Sequence, residues 1–312
     1  MKKPNHKGNL SVSINQKLKN IAREKKENVQ SVLLRYVLER VLYRLEKSPY
    51  HHEFILKGGL LLSVWTGEMH RPTQDLDLLG CGKDGKDGEN KIYYLEEVFR
   101  EICGIQVEPD GLEFKPDQVA GSLIMKNQPD KGVRIKFDAF WGPRTHTPVQ
   151  IDIGFGDAVM PAPMELQFPT LLEQSPAPCL LAYCPETVIA EKLHIMVDRG
   201  VQNSRMKDFY DIWSLCHKFE FKGEEICSAI QATFEGRNKP IPEIRPFALT
   251  LEFGQLKQQS WQAFLNTNKL NTNETSFNNV LSKLENFLMP PCSAAARGEV
   301  FNKTWRLSGY WE

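Results

Sequence analysis

Two aspartates one residue apart, in Thr73-Gln74-Asp75-Leu76-Asp77-Leu78-Leu79, are the residues of this sequence best placed to do chemistry. On a strand, alternation puts Leu76 and Leu78 on one face and Asp75 and Asp77 on the other. Same-face neighbours stand about 7 Å apart, so the two carboxylates can share one hard cation or bracket two ions about 3.5–4 Å apart, as two-metal phosphoryl chemistry requires. An amphipathic edge strand with a wet acidic face carries the same pattern, and D-x-D alone does not separate the two. Upstream, Lys57-Gly58-Gly59 follows the apolar run Phe54-Ile55-Leu56 and opens a helix. That is the geometry in which backbone N–H groups and the positive end of a helix are offered to phosphate. As an isolated dipeptide, Gly-Gly is also simply a tight turn.

A third acid sits in Val149-Gln150-Ile151-Asp152-Ile153-Gly154-Phe155, where the apolar side chains line one face and leave Asp152 on the other. Asp152 would complete a metal site with Asp75 and Asp77. Asp157 is a weaker competitor beyond Gly156, and Asp138 alternates with Arg134 and Lys136 onto what reads as a charged surface. In the helix from Glu186 to Met196, Lys192 falls inside the stripe formed by Val188, Ile189, Leu193 and Met196. A buried ammonium needs an anion, so Lys192 either snorkels to water or meets a carboxylate or a triphosphate. Asp208 and Asp211 share one side of a helix capped by Asn203-Ser204, and a Lys–Asp network joining two helices is the plainer reading of that set.

The elements that must hold these residues follow from periodicity. Apolar residues at helical spacing between Val12 and Glu46 give one or two N-terminal helices, ended at Ser48-Pro49. Short strands are expected at Phe54–Leu56 and Asp75–Leu79, a helix from Leu60 to Thr66, and a turn or loop from Gly80 to Gly88. A helix from Tyr93 to Ile105 precedes two β-patterned runs, Val133–Trp141 and Val149–Phe155, joined by a Pro-containing connection. After the proline-rich stretch 161–178 the texture is helical, with helices at Glu186–Arg199, Met206–Lys218, Gly223–Phe234 and Phe277–Leu288. The expected organisation is therefore N-terminal helices over 1–50, a mixed α/β core over 51–178 and a helical lobe over 179–312.

Composition excludes several classes. The seven cysteines are odd in number and include no C-x-x-C, against a disulfide framework or a zinc knuckle. His51, His52 and His194 lack metal-binding spacing, and there is no G-x-S-x-G elbow. No secretory signal or membrane-spanning run is visible, so a cytoplasmic protein is expected. With 39 basic and 39 acidic residues the formal net charge is zero, but Lys2, Lys3, Lys7, Lys17, Lys19, Arg23, Lys25 and Lys26 face only Glu24. That basic arm is either a phosphate-contacting element or a solvated N-terminus.

Taken together, the segments Leu56-Lys57-Gly58-Gly59-Leu60, Arg71-Pro72-Thr73-Gln74-Asp75-Leu76-Asp77, Ile151-Asp152-Ile153-Gly154-Phe155-Gly156-Asp157, Glu186-Thr187 with Ala190-Glu191-Lys192-Leu193-His194, and Arg205-Met206-Lys207-Asp208-Phe209-Tyr210-Asp211 resemble the AbiEii/AbiGii toxin family. That family falls within the DNA polymerase β-like nucleotidyltransferases and includes MenT-type toxins. The resemblance implies an α+β nucleotidyltransferase fold, a mixed sheet flanked by helices, with a C-terminal mainly helical lobe. It implies transfer of a nucleoside monophosphate from an NTP to an acceptor, with Mg²⁺ or substituting Mn²⁺; the family points to tRNA, especially its 3′ end, with protein as the alternative acceptor. The metal ligands it implies are Asp75 and Asp77, to which the strand reading adds Asp152; the nucleotide-binding residues are Lys57, Gly58, Gly59, Ser63, Arg71 and Lys192. Asp208 would support catalysis from the helical lobe. Gly58-Gly59 stands where superfamily members often have Gly-Ser, and Ser63 would supply the missing hydroxyl. A cognate antitoxin is implied as partner. The competing readings are a catalytically silent nucleotide- or RNA-binding module and an enzyme that nucleotidylates a small molecule such as an antibiotic.

Overall fold

The computed structural model describes residues 6–67, 73–82, 89–124, 132–143, 145–270 and 274–312. They form two compact units. One takes in residues 6–64, 73–156 and 165–182; the other takes in 65–67, 157–164 and the chain from 183 onward.

The first unit contains α1 (His6–Glu24), α2 (Val29–Glu46), β1 (Phe54–Lys57), most of α3 (Gly58–Thr66), β2 (Leu76–Gly80), α4 (Glu89–Gly104), β3 (Glu113–Phe114), β4 (Ala120–Leu123), β5 (Val133–Phe140), β6 (His146–Phe155), β7 (Met164–Gln167) and β8 (Cys179–Ala182). The strands make one mixed sheet in the order β3-β5-β6-β2-β1-β8-β7, with β4 also paired to β5. β2 runs antiparallel to β1 and parallel to β6, while β5 and β6 form a long antiparallel pair. One face carries Leu56, Leu78, Ile135, Ile151 and Ile153, all buried. α2 and α4 pack on the sheet, and burial of that apolar area is the main force holding the layers together.

α2 starts where Asn28 accepts from the backbone N–H groups of Gln30 and Ser31 at 2.8 and 3.2 Å, a side-chain cap for orphan donors. Packed on both sides, α2 is buried nearly all round and encloses Glu39, Arg40 and Arg44. Glu39 accepts from the Leu171 backbone, Arg40 donates to the Pro176 carbonyl and Arg44 pairs with Asp110. The proline-rich segment is thereby pinned to α2.

The second unit contains α5 (Pro185–Arg199), α6 (Met206–Lys218), β9 (Phe221–Lys222), α7 (Gly223–Gly236), α8 (Leu251–Asn268), α9 (Phe277–Arg297) and β10 (Thr304–Trp305). The expected stop at Leu288 is overturned: α9 runs on through Pro290 and Pro291. Proline removes an N–H and normally ends a helix. Here the carbonyl that Pro291 leaves free, on Phe287, accepts from the Trp311 indole at 3.0 Å. α6 spans Met206–Lys218 as expected, but its cap position is Arg205 and not Asn203-Ser204; Asn203 turns the chain ahead of it by accepting from the Arg205 N–H at 2.9 Å. α8 carries no expectation from sequence; it buries Phe253, Trp261 and Leu265 and ties α9 to α6 through the Phe209–Phe253–Phe277 cluster. Among the described residues no helix is long and apolar enough to cross a membrane, and all seven cysteines are free, with Cys103, Cys216, Cys227 and Cys292 buried.

Candidate active site

Strand register assembles the site. Lys57 on β1 lies opposite Asp77 on β2, Asp77 pairs with Asp152 on β6, and Asp152 lies opposite Arg134 on β5. Side chains directly opposite one another share a face. Four neighbouring strands therefore present one transverse row in the order lysine, aspartate, aspartate, arginine. The leucines and isoleucines flanking these residues along each strand are buried in the opposite face, which fixes the row outward.

Asp75 occupies the bend just before β2, one position short of the strand expected for it. Even so, Asp75, Asp77 and Asp152 each bring a carboxylate oxygen to within 4.8 Å of the other two, and all three are partly exposed. At that separation and an effective dielectric of about 20, each like-charged pair repels by roughly 3 kcal/mol. Arg134 answers part of that charge. Its Nε and Nη2 donate to the two oxygens of Asp152, both at 2.8 Å, the forked geometry peculiar to arginine. Hydrogen bonding to Asp152 raises the guanidinium pKa above its ordinary value, outweighing desolvation, and the charges of Asp152, Asp75 and Asp77 add to the rise.

Gly58 sets the distance between the backbone at the start of α3 and this cluster. Its φ is +77°, and a Cβ placed there would stand 2.0 Å from Asp77 Oδ2 and 2.6 Å from Asp77 Cβ. Only glycine lets the start of α3 sit directly against the carboxylate. Gly59 is buried in the first turn of α3, and Ser63, one turn on, donates to the Leu60 carbonyl at 2.6 Å. Arg71 lies outside the described residues.

In the second unit, Lys192 donates from α5 to Asp208 and Asp211 on α6, each at 2.8 Å, with both aspartate side chains fully buried. Arg205 closes the set on Asp208 at 2.5 Å. Burial pushes the Asp208 carboxyl upward, but Lys192 and Arg205 outweigh it and hold it below the usual carboxylate range. The Lys–Asp network is thus present as an interhelical ion cluster. Asp157 pairs with Arg237 and accepts from Tyr183 at 3.3 Å. Asp138, opposite Pro148, remains on the outer face of β5. Arg134 is the residue that sequence reasoning left among surface charges.

The family model of the nucleotidyl transferase AbiEii toxin of type IV toxin–antitoxin systems matches residues 40–283. The chain belongs to the AbiEii family. It is a nucleotidyltransferase toxin of a type IV toxin–antitoxin system, and its membership implies an NTP substrate and a cognate antitoxin. Among solved structures it is similar to MenT4, a nucleotidyltransferase toxin from Mycobacterium tuberculosis H37Rv, with a TM-score of 0.50 at 12% identity, covering 89% of this chain and 98% of that one. At that identity the likeness is one of fold. No curated protein matches the sequence significantly.

Proposed function

We propose that this AbiEii-family toxin transfers a nucleoside monophosphate from an NTP to the 3′ end of tRNA, with Mg²⁺ held by Asp75, Asp77 and Asp152. The observation that carries this reading is the convergence of three carboxylates beside the glycine start of α3. The donor set is all hard oxygen, which suits Mg²⁺ and, as a substitute, Mn²⁺. Asp75, Asp77 and Asp152 would hold such an ion, since each brings a carboxylate oxygen to within 4.8 Å of the other two. When bound, such an ion neutralises phosphate oxygens and stabilises the charge of the leaving pyrophosphate.

The chain's own residues do the rest by positioning. The N–H groups of Gly58 and Gly59, at the positive end of α3, are offered to the triphosphate, and Lys57 supplies a cation from the same face as Asp77. Arg134 fixes the plane of Asp152, so that this ligand does not have to be ordered when substrate arrives. Lys192 and Arg71 are assigned to phosphate charge and Ser63 to the phosphate loop, with Asp208 holding Lys192. The tRNA acceptor rests on the resemblance of the motifs. Purified protein incubated with each labelled NTP, Mg²⁺ and total cellular RNA is expected to label the tRNA fraction. Labelling of protein alone would refute the acceptor, and undiminished labelling by Asp77→Ala would refute the site.

A further inference from the structure

We infer that the outward face of α1 is a docking surface for the phosphate backbone of an RNA, which rests on the reading of an RNA acceptor and adds to it a second point of attachment. α1 is fixed from within: Ile14, Leu18 and Ala22 recur at four-residue spacing and are buried against the fold, and the Ser11 hydroxyl donates to the Gly111 carbonyl at 2.6 Å. The face turned to water is a different matter. Lys17, Lys19 and Arg23 on the helix, with Lys25 and Lys26 just after it, are all exposed. Among the described residues none of these five meets a carboxylate within ion-pair distance, whereas Arg35 a few residues on pairs with Glu27.

Charge elsewhere sharpens the contrast. With 39 basic and 39 acidic residues in all, the 31 basic and 38 acidic residues that follow Lys26 leave a net charge of −7. Such a body repels a polyanion at long range, and attraction must come from a local patch of opposite sign. The first 26 residues hold eight basic side chains against Glu24. Lys17 and Lys19 on the two flanks of a docked helix, with Arg23 on its outer side, offer unpaired cations to phosphates, which they neutralise with release of counterions and without reading sequence.

The test is the binding of a fluorescein-labelled RNA hairpin with a single-stranded 3′ tail to the full chain, by anisotropy, between about 50 and about 200 mM salt. Neither NTP nor metal is present, so failure here leaves the transfer reading standing, and a protein that transfers nothing to RNA still tests this one. The triple variant Lys17→Gln, Lys19→Gln, Arg23→Gln leaves Ile14, Leu18 and Ala22 in place. It is expected to bind at least about tenfold more weakly at low salt, with the slope of log affinity against log salt reduced by roughly 2 to 3. The charge-keeping triple Lys17→Arg, Lys19→Arg, Arg23→Lys should bind as wild type does. Equal affinity and slope for the Gln triple, or wild-type binding without salt dependence, overturns the inference. Loss of poly-L-glutamate binding with RNA binding intact would assign the face to an acidic protein instead.

Discussion

Replacing Gly58 by alanine tests the link between backbone and chemistry at a single atom. The new Cβ would lie 2.0 Å from Asp77 Oδ2 and 2.6 Å from Asp77 Cβ. Rotation of the aspartate side chain can clear the oxygen, but it cannot move its own Cβ. Ordinary carbon–carbon contact begins near 3.4 Å, so β1 and β2 must part by roughly 1 Å, or Gly58 must leave its place at the head of α3. The φ of +77° adds about 1–2 kcal/mol for a residue with a side chain, and overpacking adds about 1–3 kcal/mol. A less flexible unfolded chain returns about 0.4–1 kcal/mol, leaving a net loss of about 1–5 kcal/mol. A misplacement near 1 Å at a reacting centre costs about 100-fold in rate. Gly298→Ala separates the two effects, because its φ is +66° with no atom within 4 Å of the added Cβ. Urea unfolding and initial rates of labelled NMP transfer at saturating Mg²⁺ should show a stability loss in both variants and a rate loss only in Gly58→Ala. Wild-type rate in Gly58→Ala, with destabilisation no larger than that of Gly298→Ala, would refute the close packing of the start of α3 on Asp77.

Arg134→Gln removes the fork on Asp152, and the apparent metal constant, read from Mg²⁺ titration of activity, should rise about 10–100-fold. Lys192→Met leaves Asp208 and Asp211 buried without their shared cation; a stability loss of about 3–5 kcal/mol is expected by urea unfolding, together with loss of transfer. Trp311→Phe keeps the ring stacked on Phe287 but withdraws the donor from its carbonyl, and should cost about 1–2 kcal/mol in thermal unfolding with activity unchanged. Burial raises the Glu39 carboxyl to about 7, so the folded chain keeps this proton after the unfolded chain has released it. Its contribution is full below about pH 4.5 and is lost as pH rises through about 7, by up to about 3 kcal/mol. Melting curves at pH 5 and pH 8 should show a smaller difference for Glu39→Gln than for wild type.

The acids of the site were legible because each lies in a run whose alternation has an apolar side: Leu76 and Leu78 around Asp77, Ile151 and Ile153 around Asp152. Their partners were not, because alternation gives a face and says nothing of register. The sequence did contain the missing constraint. β5 and β6 are joined through Gly142-Pro143, and folding the chain about Pro143 brings residues nine positions to either side together, which are Arg134 and Asp152. Treating that connection as the centre of a hairpin would have moved Arg134 from the surface charges into the site. α8 escaped for a different reason: its run LEFGQLKQQSWQAFLNTN buries only Phe253, Gly254, Trp261 and Leu265, too thin a stripe to stand out among polar residues. α9 was cut short by a sound local rule, since only a tryptophan from the far end of the lobe repairs the hydrogen bond that Pro291 removes. β8 escaped because its four residues, Cys179–Ala182 just past the proline-rich stretch, are too few to show an alternation of faces.

The row across the sheet explains why this fold tolerates three carboxylates in one place. Without flanking cations the cluster would carry repulsion comparable to the whole stability of a domain, which is about 5–15 kcal/mol. Lys57 and Arg134 stand at the two ends of the row, one strand beyond each inner aspartate, so each compensates from the side. A cation placed between Asp77 and Asp152 would satisfy the charge better and block the site. Register therefore does two jobs here: it gathers the carboxylates, and it places Lys57 and Arg134 at the edges of the row, where the arginine fork steadies Asp152; under the proposed function the acids between them would hold the divalent ion.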